Sequence, residues 1–387
     1  MEKPWFSPNT SWSACVKISV SETETAKKQD TFSLPVDLIR TVGIFMVVML
    51  HASNEYYTAI YQPGVALDPV TASYWWTATV YKFFNLSCVP LFIMLSGALL
   101  LQPAKIDEPI KVFLKKRANR IGWAYGFWSV IYLAWGFFIS DMPVTLDNVF
   151  QALMWGVFTG PWYHFWFLYL MTGLYLITPV LRVVVANKDH NVIRYLIILW
   201  FIGVAVMPLI ELITGYALNA GVFIWSGCIG YFVLGEHLPK VRIRPAILYA
   251  LLVIGFIWTV FSTWAMHFVF YSLEQYYFFF DYLSANVIIT SVALFMILSR
   301  FKPDWPGSNH PHFRKFLRLV SKNTLAIYLL HVIILMSLQR GFFGVTLSLT
   351  VINPIIGVPL IAVVTFLITL GLVLIMKKIP VLKKLIG

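Results

Sequence analysis

Charge is scarce in this chain: Asp, Glu, Lys and Arg make up 12% of its 387 residues, against about 25% in a soluble globular protein. So little polar surface cannot wet several separate cores, which excludes an ordinary soluble multidomain enzyme. Cysteine is nearly absent. Of Cys15, Cys88 and Cys228, two lie inside apolar runs and none has metal-ligand spacing, so no disulfide framework, zinc site or other metal centre is expected. Acidic residues are few, 17 against 29 Lys and Arg, giving a net charge of +12. There is no repeat of fixed period, no heptad run and no appended soluble stretch of useful size. Residues 1–33 are polar and lack an apolar core followed by a cleavage-like site, so they read as a flexible cytoplasmic leader.

What the chain has is apolar length. Hydrophobic residues account for 59% and aromatic residues for 17%, with a mean hydropathy of +0.77. Crossing the hydrocarbon core takes about 20 apolar residues. Windows of that size mark ten spans, near 36–54, 80–101, 121–139, 163–181, 193–214, 219–236, 245–263, 282–299, 323–340 and 353–376. The expected fold is therefore an all-α polytopic membrane protein. A ten-helix domain would cover 34–378, and a short basic tail 379–387. The run Leu146–Phe158 is too short to cross and reads as interfacial or re-entrant. The aromatic stretch Phe268–Tyr282 reads the same way, as part of an interfacial belt.

Cytoplasmic loops near span ends are enriched in Lys and Arg. Ten spans place 27 of the 29 basic residues on one side together with both termini, leaving only Lys82 and Arg340 on the other. Both termini are thus assigned to the cytoplasm. The positive charge is a topology signal, not a nucleic-acid footprint, and no nucleic-acid partner is expected.

Ionisable groups inside spans are costly and are functional hypotheses by default. The first span carries Arg40 and, eleven residues later, His51. Eleven helical steps cover about 16 Å and return both to nearly one face, with a cation at the cytoplasmic mouth and an imidazole near mid-membrane. The bland reading is a snorkelling Arg and a His bonded to a neighbouring helix. Glu55, one turn further, either orients His51 or faces water. At the start of the third span, Arg117 and Arg120 share a face beside Lys115 and Lys116. Guanidinium forks suit phosphate oxygens, whereas positive-inside anchoring explains the two lysines without a ligand.

These strings, in order, resemble the membrane-bound acyltransferase-3 family. Arg40 through His51 resembles its Arg-ten-residues-His signature, and Arg117-Ala-Asn-Arg120 its Arg-x-x-Arg element. Val89 to Gly97, Trp162 to Tyr169 and Ser321 to His331 match three further elements. The resemblance covers roughly residues 34–376 and is nearest to short members of the O-acetyltransferase type without a fused extracytoplasmic domain, such as enterobacterial common antigen O-acetyltransferases. Trp123 departs from it, standing where relatives often carry a proline that would kink the helix.

The resemblance implies transfer of an acyl group, usually acetyl, from cytoplasmic acetyl-CoA to a hydroxyl of an extracytoplasmic sugar or lipid-linked surface glycan. The setting implied is a bacterial cytoplasmic (inner) membrane. Acetyl-CoA would be a substrate, with no permanently bound cofactor. Arg40, Arg117, Arg120 and Lys116 would hold its phosphates, and His51 would act as general base, with Arg40 beside it in the catalytic group. An oxyanion donor is also needed, for which Tyr163, His164, Trp166, Ser96 and Asn323 are candidates. Tyr328 and His331, three apart on one face, read either as site residues or as a hydrogen-bonded helix contact. His190, His237, His267, His310 and His312 read as solvated. Membrane lipids are obligatory neighbours, and the oligomeric state stays open. A secondary transporter or flippase using the same His and Arg as a proton or anion relay is the competing class, although the matching inverted halves expected of many transporters are not found.

Overall fold

The computed structural model describes residues 33–55, 68–140, 142–186, 190–215, 227–268, 278–301 and 310–387. The leader, part of the 219–236 span, most of the Phe268–Tyr282 stretch and the side chains of His190 and His267 lie outside the described residues.

Among the described residues every regular element is helical, as backbone polar groups in hydrocarbon require. In chain order these are α1 Leu34–Ser53, α2 Pro69–Asn85, α3 Cys88–Leu100, α4 Ile110–Ile139, α5 Leu146–Thr159, α6 Trp166–Ala186, α7 His190–Phe201, α8 Met207–Thr214, α9 Ile229–His237, α10 Pro245–Phe268, α11 Ala285–Ser299, α12 Pro311–Gln339, α13 Pro354–Met376 and α14 Pro380–Leu385. Among the described residues, eight stretches of helix are long and apolar enough to cross a membrane, and α11 is a shorter apolar helix. The protein is an all-α polytopic membrane protein.

Several limits differ from the hydropathy windows. The second apolar stretch starts at Pro69 and breaks at Leu86–Ser87 into α2 and α3. Its start is fixed by Asp68, whose carboxylate accepts from the amides of Val70 and Thr71. Helices α4 and α12 begin about three turns before their windows because their first turns carry Lys and Arg, which hydropathy penalises while helix propensity does not. Across Trp123 α4 runs without a break, and the indole is 62% exposed. Before Pro208 the chain takes a π-turn over Ile202–Val206, which relieves the clash a proline ring makes with the preceding turn. Residues 380–385, read as tail, form α14, and Ile386 is buried.

The chain divides into two compact units, Met1–Gly43 with Ser87–Leu99 and His190–Lys322, and Ile44–Leu86 with Leu100–Asp189 and Asn323–Gly387. In the first, α3 and α9 touch backbone to backbone. A Cβ on Gly97 would overlap the Phe232 carbonyl, and one on Gly235 the Met94 carbonyl, so only glycine fits. His237 is buried in this unit rather than solvated, whereas His310 and His312 are exposed. Asn286 binds the Thr259 hydroxyl at 2.8 Å across α10 and α11. Arg40 lies here, its guanidinium donating to the Ser321 hydroxyl at 3.4 Å. The second unit holds the groups described next.

Candidate active site

Three imidazoles from distant parts of the chain meet in the second unit. His51 is carried by the last turn of α1, His331 by α12, and His164 by a tight turn before α6. That turn is built by Gly160, whose φ of 100° ends α5 in a conformation an L side chain resists, followed by Pro161 and a 3-10 turn over Tyr163–Phe165. The turn drives His164 fully inside and leaves Tyr163 54% exposed.

Ring centroids of His51 and His331 are 5.2 Å apart, those of His331 and His164 5.7 Å, and those of His51 and Tyr163 5.2 Å. Around His164 stand Phe165 at 4.8 Å, Tyr132 at 5.1 Å and Tyr328 at 5.4 Å, mostly edge to face. Tyr328 donates its hydroxyl to the His164 carbonyl, and Tyr132 donates to the Leu329 carbonyl at 2.7 Å, tying the turn and α4 to α12.

The nitrogens matter most. His331 Nδ1 lies 2.6 Å from the Tyr328 carbonyl. A carbonyl only accepts, so Nδ1 bears the proton and Nε2 keeps its lone pair. Nε2 is buried and has no hydrogen-bond partner among the described residues, and neither has His51 Nδ1. A lone-pair nitrogen lodged among aromatic rings, as His331 Nε2 is, can take a proton from an incoming hydroxyl. Lys82 stands within electrostatic reach of His51. Among the described residues, no group of three His, Cys, Asp or Glu side chains is arranged to hold a metal ion.

At the opposite end of α4 lies a cationic cluster. Arg117 packs over the rings of Phe113 and Tyr175, at 5.3 and 5.6 Å from their centroids. Its Nε is buried without a partner among the described residues. Arg182 is 3% exposed, donates to the Leu100 carbonyl at 2.9 Å and to Glu108 at 3.1 Å, and lies 4.5 Å from the Phe113 ring centre. Burial works to raise the Glu108 carboxyl, but hydrogen bonds from Lys116 and Arg182 outweigh it and hold it below the usual range. Burial, then the charges of Arg182 and Arg117, pull the Lys105 ammonium below the ordinary lysine range, with Glu108 opposing. Burial with Arg120 and Lys383 does the same to Lys377. Cations crowded enough to depress one another form a surface prepared for a polyanion.

Of the residues expected from sequence, His51, Tyr163, His164, Tyr328 and His331 are brought together. Arg117 and Arg120 belong to the cationic cluster. Lys116 is diverted into an ion pair with Glu108 at 2.9 Å. The Glu55 carboxylate accepts from the Leu349 amide at 2.9 Å and anchors the loop before α13. Asn323 is buried eight residues before His331, Trp166 begins α6 with 40% of its surface exposed, and Ser96 and Arg40 belong to the first unit. Tyr132, Lys82, Lys105 and Arg182 were missed. Only Lys82 gave a signal, as one of two cations, with Arg340, on the side otherwise stripped of them.

A family model described as an acyltransferase domain matches residues 35–374. No curated protein and no solved structure matches the chain.

Proposed function

Since the chain belongs to the acyltransferase-3 family, and is a multi-pass membrane acyltransferase, we propose that it moves an acetyl group from acetyl-CoA to a hydroxyl of an extracytoplasmic sugar or lipid-linked glycan across a bacterial inner membrane. The observation that carries this reading is the pair His51 and His331, two imidazoles 5.2 Å apart whose unpartnered nitrogens lie inside an aromatic shell. A thioester is already activated, so the reaction mainly needs a base at the sugar hydroxyl, worth roughly 10² to 10⁴-fold. His51 takes that proton as the hydroxyl oxygen attacks the thioester carbonyl. Collapse of the tetrahedral intermediate then breaks the C–S bond, forms the ester and releases the CoA thiolate, which takes the proton from His51 and restores the base. The phosphates of the donor rest on Arg117 and Arg120, with Lys105 and Lys377 adding charge. Arg182 keeps that end in shape through Glu108.

The test is incubation of the purified protein with radiolabelled acetyl-CoA and inner-membrane glycolipids. The wild type is expected to leave label in an alkali-labile ester, and His51→Ala to abolish it while acetyl-CoA binding survives. Full transfer by His51→Ala refutes the base assignment. A transporter would move solute and form no ester at all.

A further inference from the structure

A second feature of the same unit is not used by this chemistry. A cavity of about 660 Å³ lies among α4, α5 and the turn at Pro161–Trp162, with Arg340 in its wall. Its wall includes Tyr132 and Trp162, whose rings are 5.6 Å apart. Tyr132 also touches His164, so the cavity and the imidazole cluster share a wall.

Three features describe what fits. Asn148 and Gln151, whose amide nitrogens donate to the Pro143 carbonyl and the Asp147 carboxylate, line the cavity and carry amide oxygens that accept hydrogen bonds. Side chains of this kind suit a ligand rich in hydroxyls, whereas an acyl chain offers them no partner. The indoles of Trp155 and Trp162 supply flat apolar faces beside them. Arg340 is the only charged residue among the described residues lining the space. One of its terminal nitrogens donates to the Ile139 carbonyl at 3.2 Å, so part of the guanidinium is anchored and its charge stays with the cavity. The acid on α5, Asp147, is bound by Gln151 at 2.9 Å and does not line the cavity.

We propose that this cavity is the outer subsite for the acceptor glycan and takes a sugar ring bearing an acidic group, which meets Arg340. Its part in catalysis rests on the acyl-transfer reading; the binding itself does not. The sugar ring packs on the tryptophans, its hydroxyls meet the amides of Asn148 and Gln151, and its acidic group makes a charge-assisted contact to the guanidinium.

The test uses the full chain in lipid nanodiscs without acyl donor. Binding of methyl β-D-glucuronide and of methyl β-D-glucoside is measured by saturation-transfer NMR. The glucuronide is expected to bind about tenfold or more tighter, the scale of a hydrogen bond to a charged group. Arg340→Gln should erase that preference and Arg340→Lys should keep most of it. Gly136→Leu should abolish binding of both, because a Cβ there meets only Trp162, at 3.8 Å, and the added bulk grows into the cavity. Equal affinity for the two glycosides, no binding of either, or unchanged binding by Gly136→Leu overturns the proposal. The same preparations are then assayed with radiolabelled acetyl-CoA and membrane glycolipids. Glycoside binding as expected with no ester formed sinks the transfer reading and leaves the subsite standing. Ester formation with unchanged kinetics in Arg340→Gln and Gly136→Leu sinks the subsite alone.

Discussion

Replacing His331 separates a proton-handling role from a structural one. The ring is fully buried, holds the Tyr328 carbonyl through Nδ1, and keeps Nε2 bare 5.2 Å, centroid to centroid, from His51. If its only task is the bond to Tyr328, removal costs one buried hydrogen bond, about 1–3 kcal/mol of stability, and turnover changes little. If Nε2 exchanges the proton with His51, His331→Gln removes the second base while its amide still donates to Tyr328. The turnover rate then falls by the general-base share, about 10² to 10⁴-fold, or roughly 2.7–5.5 kcal/mol in the barrier. Acetyl-CoA affinity holds, because the cationic cluster is untouched. Single-turnover transfer, thermal melting and donor binding measured on His331→Gln and His331→Phe distinguish the cases. A His331→Gln protein with lowered melting temperature and undiminished single-turnover rate refutes the proton-handling role.

Two further outcomes follow from the charged cluster. Glu108→Gln strands Arg182, which is 3% exposed, without its carboxylate partner, and should cost about 3 kcal/mol or more. Lys116→Ala, whose ammonium is largely exposed, should cost under about 1 kcal/mol. The Glu108 carboxyl is held below its ordinary value when folded, so its stabilisation is present above the ordinary carboxylate range and is lost as pH falls through the folded value. Chemical unfolding at neutral and acidic pH checks both points, and a Glu108→Gln protein as stable as wild type at neutral pH contradicts them. Lys105 and Lys377 sit below the ordinary lysine range; a bound polyanion raises them, so acetyl-CoA binding should take up protons at alkaline pH. Calorimetry in buffers of different ionisation enthalpy reads this directly, and a binding enthalpy independent of buffer removes these lysines from the donor site.

Much of the molecule follows from local sequence. Apolar length sets the helices, and the lopsided placement of Lys and Arg sets the expected orientation. The eleven-residue interval from Arg40 to His51 lies on one unbroken helix, so their shared face follows from helical period alone. Leu146–Thr159 is a separate helix of 14 residues that ends at Gly160. What sequence could not decide are the contacts made by side chains far apart in the chain. His51 meets His331 across 280 residues, Tyr132 binds Leu329, Glu55 is claimed by Leu349, and Arg182 is drawn to Glu108. Helical period says which face a residue occupies and nothing about which helix lies opposite. Only packing pairs the faces, and that pairing set the bare Nε2 of His331 near His51 and placed Arg340 in the wall of a cavity.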